Sequence, residues 1–188
     1  MKNNVNFVLF AFMVSIFSSC TQLGLVKEDF TTKEGLKEFE EELISKFGKD
    51  AYFTDFGISH SQHGSVANVT VTSDPSSLKM GSWIYHKGLW EQTSDITLEI
   101  PDGAKAEDFM YTHKELDFDQ INELVEKSKT KVKEEKDMDV VVYTIYLSAP
   151  DDADFSRMRY SLDLRPENGG TSFSFYYNMD GSLHSFDY

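Results

Sequence analysis

The chain has 188 residues, 40% of them hydrophobic and 14% aromatic, enough apolar material to bury a core and to exclude disorder of the whole. Acidic residues outnumber basic ones 32 to 18, a formal net charge of −14, and a field of that sign repels nucleic acid and anionic lipid surfaces.

The first twenty residues divide into a polar start carrying Lys2, an apolar run from Phe7 to Phe17, and two serines before the chain's single cysteine, Cys20. That is the layout of a secretory signal peptide. Eleven apolar residues rise only about 16 Å as a helix, against roughly 30 Å of hydrocarbon, so the run does not span a bilayer. Phe17-Ser18-Ser19-Cys20 resembles the lipobox of bacterial lipoproteins, with Phe17 where leucine is usual and Ser19 where glycine or alanine is usual. The resemblance implies a diacylglycerol on Cys20 and a membrane anchor through that lipid. Thr21, standing where an aspartate would retain the protein, implies onward transport to the outer membrane of a Gram-negative cell. An acylated Cys20 leaves no thiol for a disulfide, a metal or a nucleophile.

Residues 20–30 lack periodicity and are expected to be a tether. Thr31 with Glu34 forms a capping box ahead of Leu36, Phe39, Leu43, Ile44 and Phe47, the stripe of a helix that Gly48 closes. Short aromatic and β-branched runs follow at Tyr52–His60, Val66–Thr72, Met80–His86 and Leu89–Ile100. Their short connectors imply antiparallel hairpins. Alternation puts Tyr52, Phe56 and Ile58 on one face, and Trp90, Ile96, Leu98 and Ile100 on one face, with a bulge expected near Thr93-Ser94.

A polar connector, residues 101–116, precedes a second capping box at Asp117 and Gln120. Ile121, Leu124, Val125, Ser128 and Val132 then mark a helix reaching Lys136. Strands are expected at Asp139–Ser148, Phe155–Arg165, Thr171–Asn178 and Ser182–Tyr188, with Asp180-Gly181 at the centre of a type I′ turn.

The expected fold is α+β: two helix-plus-four-strand repeats, 31–100 and 117–188, with both helices packed on one face of a largely antiparallel sheet. Residues 1–19 are the signal peptide. Tyr176-Tyr177-Asn178-Met179-Asp180-Gly181-Ser182-Leu183 resembles the closing hairpin of PepSY-like domains of secreted bacterial proteins, and the element order is similar to theirs. That resemblance implies binding or inhibition more than catalysis, and carries no functional residue over.

His60 and His63 lack a third ligand, and Asp151, Asp152 and Asp154 lack the glycine and glutamate of an EF-hand, so neither metal nor cofactor is expected. Trp83, Tyr85 and Trp90 read as core in preference to a sugar platform. All three arginines, Arg157, Arg159 and Arg165, fall within nine residues. Alternation puts Met158, Tyr160, Leu162 and Leu164 on the core side and the arginines together on the other, beside Val140, Val142, Thr144 and Tyr146. With Tyr146 they form the candidate binding face, suited to an acidic protein or an anionic glycan. A non-enzymatic, lipid-anchored envelope binding module is the expected function. A carboxylate-using envelope hydrolase and a structural or stress-related lipoprotein are the alternatives.

Overall fold

The computed structural model describes residues 28–188. Cys20 and the signal segment lie outside them. Helix α1 (Lys33–Phe47) leads into strands β1 (Tyr52–Ser61), β2 (Gly64–Thr72), β3 (Lys79–His86) and β4 (Leu89–Thr97). A two-residue strand, β5 (Tyr111–Thr112), precedes α2 (Phe118–Lys136), and then come β6 (Val141–Ser148), β7 (Arg159–Arg165), β8 (Phe173–Asn178) and β9 (Leu183–Asp187).

All pairings are antiparallel, in one sheet of order β4-β3-β2-β1-β6-β7-β8-β9, with β5 also on β1. The chain therefore lays down one meander outward from β1 and a second outward from β6. Both helices cover the same face. Leu36, Phe39 and Leu43 of α1 and Ile121, Leu124 and Val125 of α2 share one buried cluster with Phe56, Val69, Ile145, Leu162 and Phe175 from the strands.

The helix ends follow local chemistry. Thr32, one residue later than expected, is the α1 cap: its hydroxyl accepts from Gly35 N–H at 3.1 Å, while the Thr31 hydroxyl donates to the Asp29 carboxylate at 2.6 Å. Asp117 caps α2 by accepting from Gln120 N–H at 2.9 Å. The final residues of the supposed tether belong to the folded body, because Phe30 is buried among Phe39 and Tyr85 and its N–H donates to Ser65 Oγ at 3.0 Å.

Register shifts occur in four ladders, β1–β2, β3–β4, β6–β7 and β8–β9, and the first three override the period-two reading. A shift at Thr54 separates Tyr52 from Phe56 and Ile58, one at Thr93 separates Trp90 from Ile96, and one at Tyr143 turns Val142 into the core and exposes Val141. Each inserted residue swaps the faces of everything beyond it. Only the bulge at Thr93 has a counterpart in the sequence reading. Beyond the first two bulges, Tyr52, Ile96 and Leu98 meet Met80, Ala106 and Met110 in a small second core on the opposite side of the sheet. The connector 101–116 is thus a packed element, contributing buried Ala106 and Met110 along with β5.

The two tight turns differ. Lys87 and Gly88 both have positive φ, 52° and 73°, as a type I′ turn requires. In the later hairpin only Gly181 does, at 77°, and its N–H donates to Asn178 O at 2.9 Å. The expected type I′ turn at Asp180-Gly181 is instead a three-residue loop ending in a left-handed glycine.

Candidate functional site

With both helices on one side, the middle of the other sheet face is bare among the described residues. The cross-strand register lines up Ile84, Asn68, Gly57, Tyr146, Ser161 and Tyr176 in one row across β3, β2, β1, β6, β7 and β8. Ile84 is 37% exposed and Tyr146 is 42% exposed. Gly57 keeps the row level: a Cβ there would lie 2.6 Å from Asn68 Oδ1, so the amide can rest across the strand only because the side chain is missing.

Two carboxylates are fixed into this face by hydroxyls. Asp55 accepts from Tyr146 Oη at 2.6 Å and Ser148 Oγ at 2.9 Å through Oδ1, and from Thr54 Oγ1 at 2.9 Å through Oδ2. Asp163 accepts from Thr144 Oγ1 at 2.9 Å and Ser174 Oγ at 2.6 Å. Partial burial, reinforced by the bond to Asp55, pushes the Tyr146 phenol above its ordinary value, so the tyrosine remains a neutral donor. None of the five hydroxyl bonds was anticipated, although the run Ser161-Leu162-Asp163-Leu164 carries the alternation that places Ser161 and Asp163 opposite the core.

At one end the face runs into a cavity of about 410 Å³, roofed by the connector and by the loop after β6. Asp55, Thr70 and Ser148 form its polar floor; Met80, Ile96 and Phe109 form its apolar wall. Glu99 and Asp151 also line it, and both are exposed.

The arginines do not form one cluster. Arg157 lies before β7, in a 3₁₀ turn (Phe155–Arg157), where Asp154 caps the turn and Arg157 pairs with Asp152. Arg159 opens β7 and donates from Nη1 to the Ser156 and Met158 carbonyls, at 2.6 and 2.7 Å. Arg165 closes β7 with its guanidinium 3.7 Å from the Tyr143 ring centroid. Six strand positions separate these two, about 20 Å. The core residues Tyr160, Leu162 and Leu164 between them, and Met158 just before, are buried as alternation requires.

His60 belongs to β1 and contacts Ser65 Oγ at 2.9 Å, whereas His63 sits in the turn; among the described residues no group of three His, Cys, Asp or Glu side chains could hold a metal. The serine hydroxyl beside Asp154 holds that carboxyl below its usual range, consistent with a capping role in the turn. Trp83, Tyr85 and Trp90 pack on the helix side against Phe39 and Phe47.

Over the described residues the architecture is α+β, two α-helices on a nine-stranded antiparallel sheet. No family model matches the chain, and no curated protein matches it. Among solved structures it is similar to the crystal structure of a "putative lipoprotein" from Clostridium difficile 630, with 13% sequence identity and a TM-score of 0.40 over 85% of this chain and 94% of that one.

Proposed function

We propose that the chain is a lipid-anchored cell-envelope protein, held by a diacylglycerol on Cys20, whose bare sheet face binds a partner without catalysis. The observation that carries the binding reading is the uncovered row Ile84–Asn68–Gly57–Tyr146–Ser161–Tyr176, level and half-exposed in a sheet whose other face is buried under two helices. Phe30 packs on the helix side of the sheet, against Phe39. Among the described residues no helix is long and apolar enough to cross a membrane. The carboxylates of the face are occupied by hydroxyls, with no histidine beside either, an arrangement better suited to recognition than to acid–base work. The same reading takes each helix with its four-strand meander as a repeated unit meeting at the β1–β6 seam, and the outer membrane as its place. With the arginines dispersed, an acidic partner or anionic glycan loses the cluster that recommended it.

The test is affinity capture from the native membrane with wild type, with Cys20→Ser, and with Ile84→Glu plus Tyr176→Glu. Wild type should retain a partner that the double variant loses at equal thermal stability. Capture of the same partner by both would overturn the binding face. Lipid label persisting on Cys20→Ser would overturn the anchor.

A further inference from the structure

The cavity at the end of the bare face has two chemically distinct sides. On one, Met80, Ile96 and Phe109 supply thioether, aliphatic and aromatic surface. On the other, Asp55 is held rigid: two hydroxyls fill the lone pairs of Oδ1, and Thr54 takes one of the two on Oδ2, which leaves one acceptor site free. Glu99 and Asp151 add two more carboxylates from separate loops. Among the described residues none of these three acids is in an ion pair, although Asp152, next to Asp151, is paired with Arg157. Asp151 also lines the neighbouring pocket that holds Arg157, whose guanidinium is paired with Asp152, and the formal charge of the chain is −14.

We propose that this cavity takes a protonated primary amine on an apolar stem, the chemistry of a lysine side chain, presented by a polypeptide lying on the bare face. The proposal rests on the binding reading above and names the partner's chemistry. An ammonium is a compact charge with three donors, which suits acceptors arriving from different directions; a guanidinium needs a coplanar pair. Its methylene stem would bury against Met80, Ile96 and Phe109, as lysine stems do on apolar surfaces. Charge complementarity favours a basic partner for the whole face, since Asp55 and Asp163 both point into it. About 410 Å³ falls within the lower part of the range for small-molecule pockets, ample for one side chain.

The experiment titrates the purified full chain with Nα-acetyl-lysine methylamide and, separately, with its uncharged analogue Nα-acetyl-norleucine methylamide, following side-chain methyl resonances. The lysine probe should shift the Met80 and Ile96 methyls at concentrations on the order of 10 mM, and the norleucine probe should bind at least about tenfold more weakly. Asp55→Asn should reduce lysine binding about tenfold. Because Asp55 also pins Tyr146 and Ser148, the exposed pair Glu99→Gln plus Asp151→Asn is the control that leaves those bonds in place, and it should weaken binding several-fold. Equal response to the two probes, no response at Met80 or Ile96, or undiminished binding by the Glu99→Gln plus Asp151→Asn variant would each overturn the proposal. If the captured partner is lost with Ile84→Glu plus Tyr176→Glu but retained by the Glu99→Gln plus Asp151→Asn variant with both probes silent, the face binds without the cavity, and only the amine site fails.

Discussion

The halves of the sheet on either side of the β1–β6 seam hold their helices by different chemistry. Under α1 the contact is aromatic. Phe39 meets Phe30, Phe56, Tyr85, Trp90 and, from α2, Phe118, with ring centroids between 5.2 and 6.0 Å, and Phe47 packs edge-on against Trp83 and Trp90. Under α2 directional polar clamps supplement the apolar stripe. Ser128 Oγ lies 2.9 Å from Tyr177 Oη, Gln120 Nε2 donates to Met179 O at 3.1 Å, and Lys127 Nζ donates to Gly181 O at 3.1 Å. Tyr160 Oη donates to Glu115 O at 2.7 Å just ahead of that helix. Aromatic packing tolerates small rotations, whereas hydrogen bonds to carbonyls fix register. The first half gains its register elsewhere, from residues 28–31 strapped over α1 and β2.

That strap is where the comparison is most exposed to a single substitution. A Cβ at Gly35 would lie 1.9 Å from Asp29 O, a backbone atom that cannot step aside. Gly35→Val should therefore cost about 3 kcal/mol or more in denaturant unfolding. A loss below about 1 kcal/mol would mean that the strap is not part of the first half's packing.

In the second half the matching position is Gly181, at φ 77° and with a Cβ that would approach Gln120 Nε2 to 2.9 Å. Gly181→Val should destabilise by about 1–2 kcal/mol, through backbone strain and loss of the Gln120 clamp. An unchanged melting curve would remove the turn from the list of things that hold α2.

Tyrosine hydroxyls separate the two chemistries more finely. Tyr160→Phe deletes the donor to Glu115 O and should cost about 1 kcal/mol, whereas Tyr85→Phe preserves the ring contacts with Phe30, Phe39 and Trp90 and should stay within about 0.5 kcal/mol of wild type. Equal losses at both sites would erase the contrast.

The smallest expected effect is with acid. Ser182 hydrogen bonds hold Asp180 below the usual carboxylate range, and Ser156 does the same for Asp154; both turns belong to the second half. A lowered folded pKa means that stability present above the unfolded carboxylate pKa is lost as pH falls through the folded one. Hydrogen exchange below about pH 4 should thus rise first around 154–157 and 178–182. Earlier exchange at the Lys87-Gly88 turn would contradict it.

Much of the helix and strand layout was legible in the chain. Leu36, Phe39 and Leu43 recur at helical spacing and are buried; Tyr160, Leu162 and Leu164 alternate and are buried. The candidate site was mostly not legible. Alternation alone placed only Tyr146 and Thr144 on this face, and the arginines beside them are spread over two elements and tied to Asp152, carbonyls and Tyr143. Asp55 gave no local sign, because its hydroxyl partners Tyr146 and Ser148 lie more than ninety positions away.

By itself the sequence determined the α+β class, both helix stripes, the hairpin order and the acidic character, since periodicity, capping and charge are written in neighbouring residues. Only the tertiary structure decided which side chains share a face. One inserted residue at Thr54, Thr93 or Tyr143 reverses the alternation beyond it, and whether a ladder takes such a bulge depends on the strand beside it. It also decided that the connector folds under the sheet and that β1 meets β6. Those contacts bring together residues about ninety positions apart, and the bare face and its cavity exist only where they close.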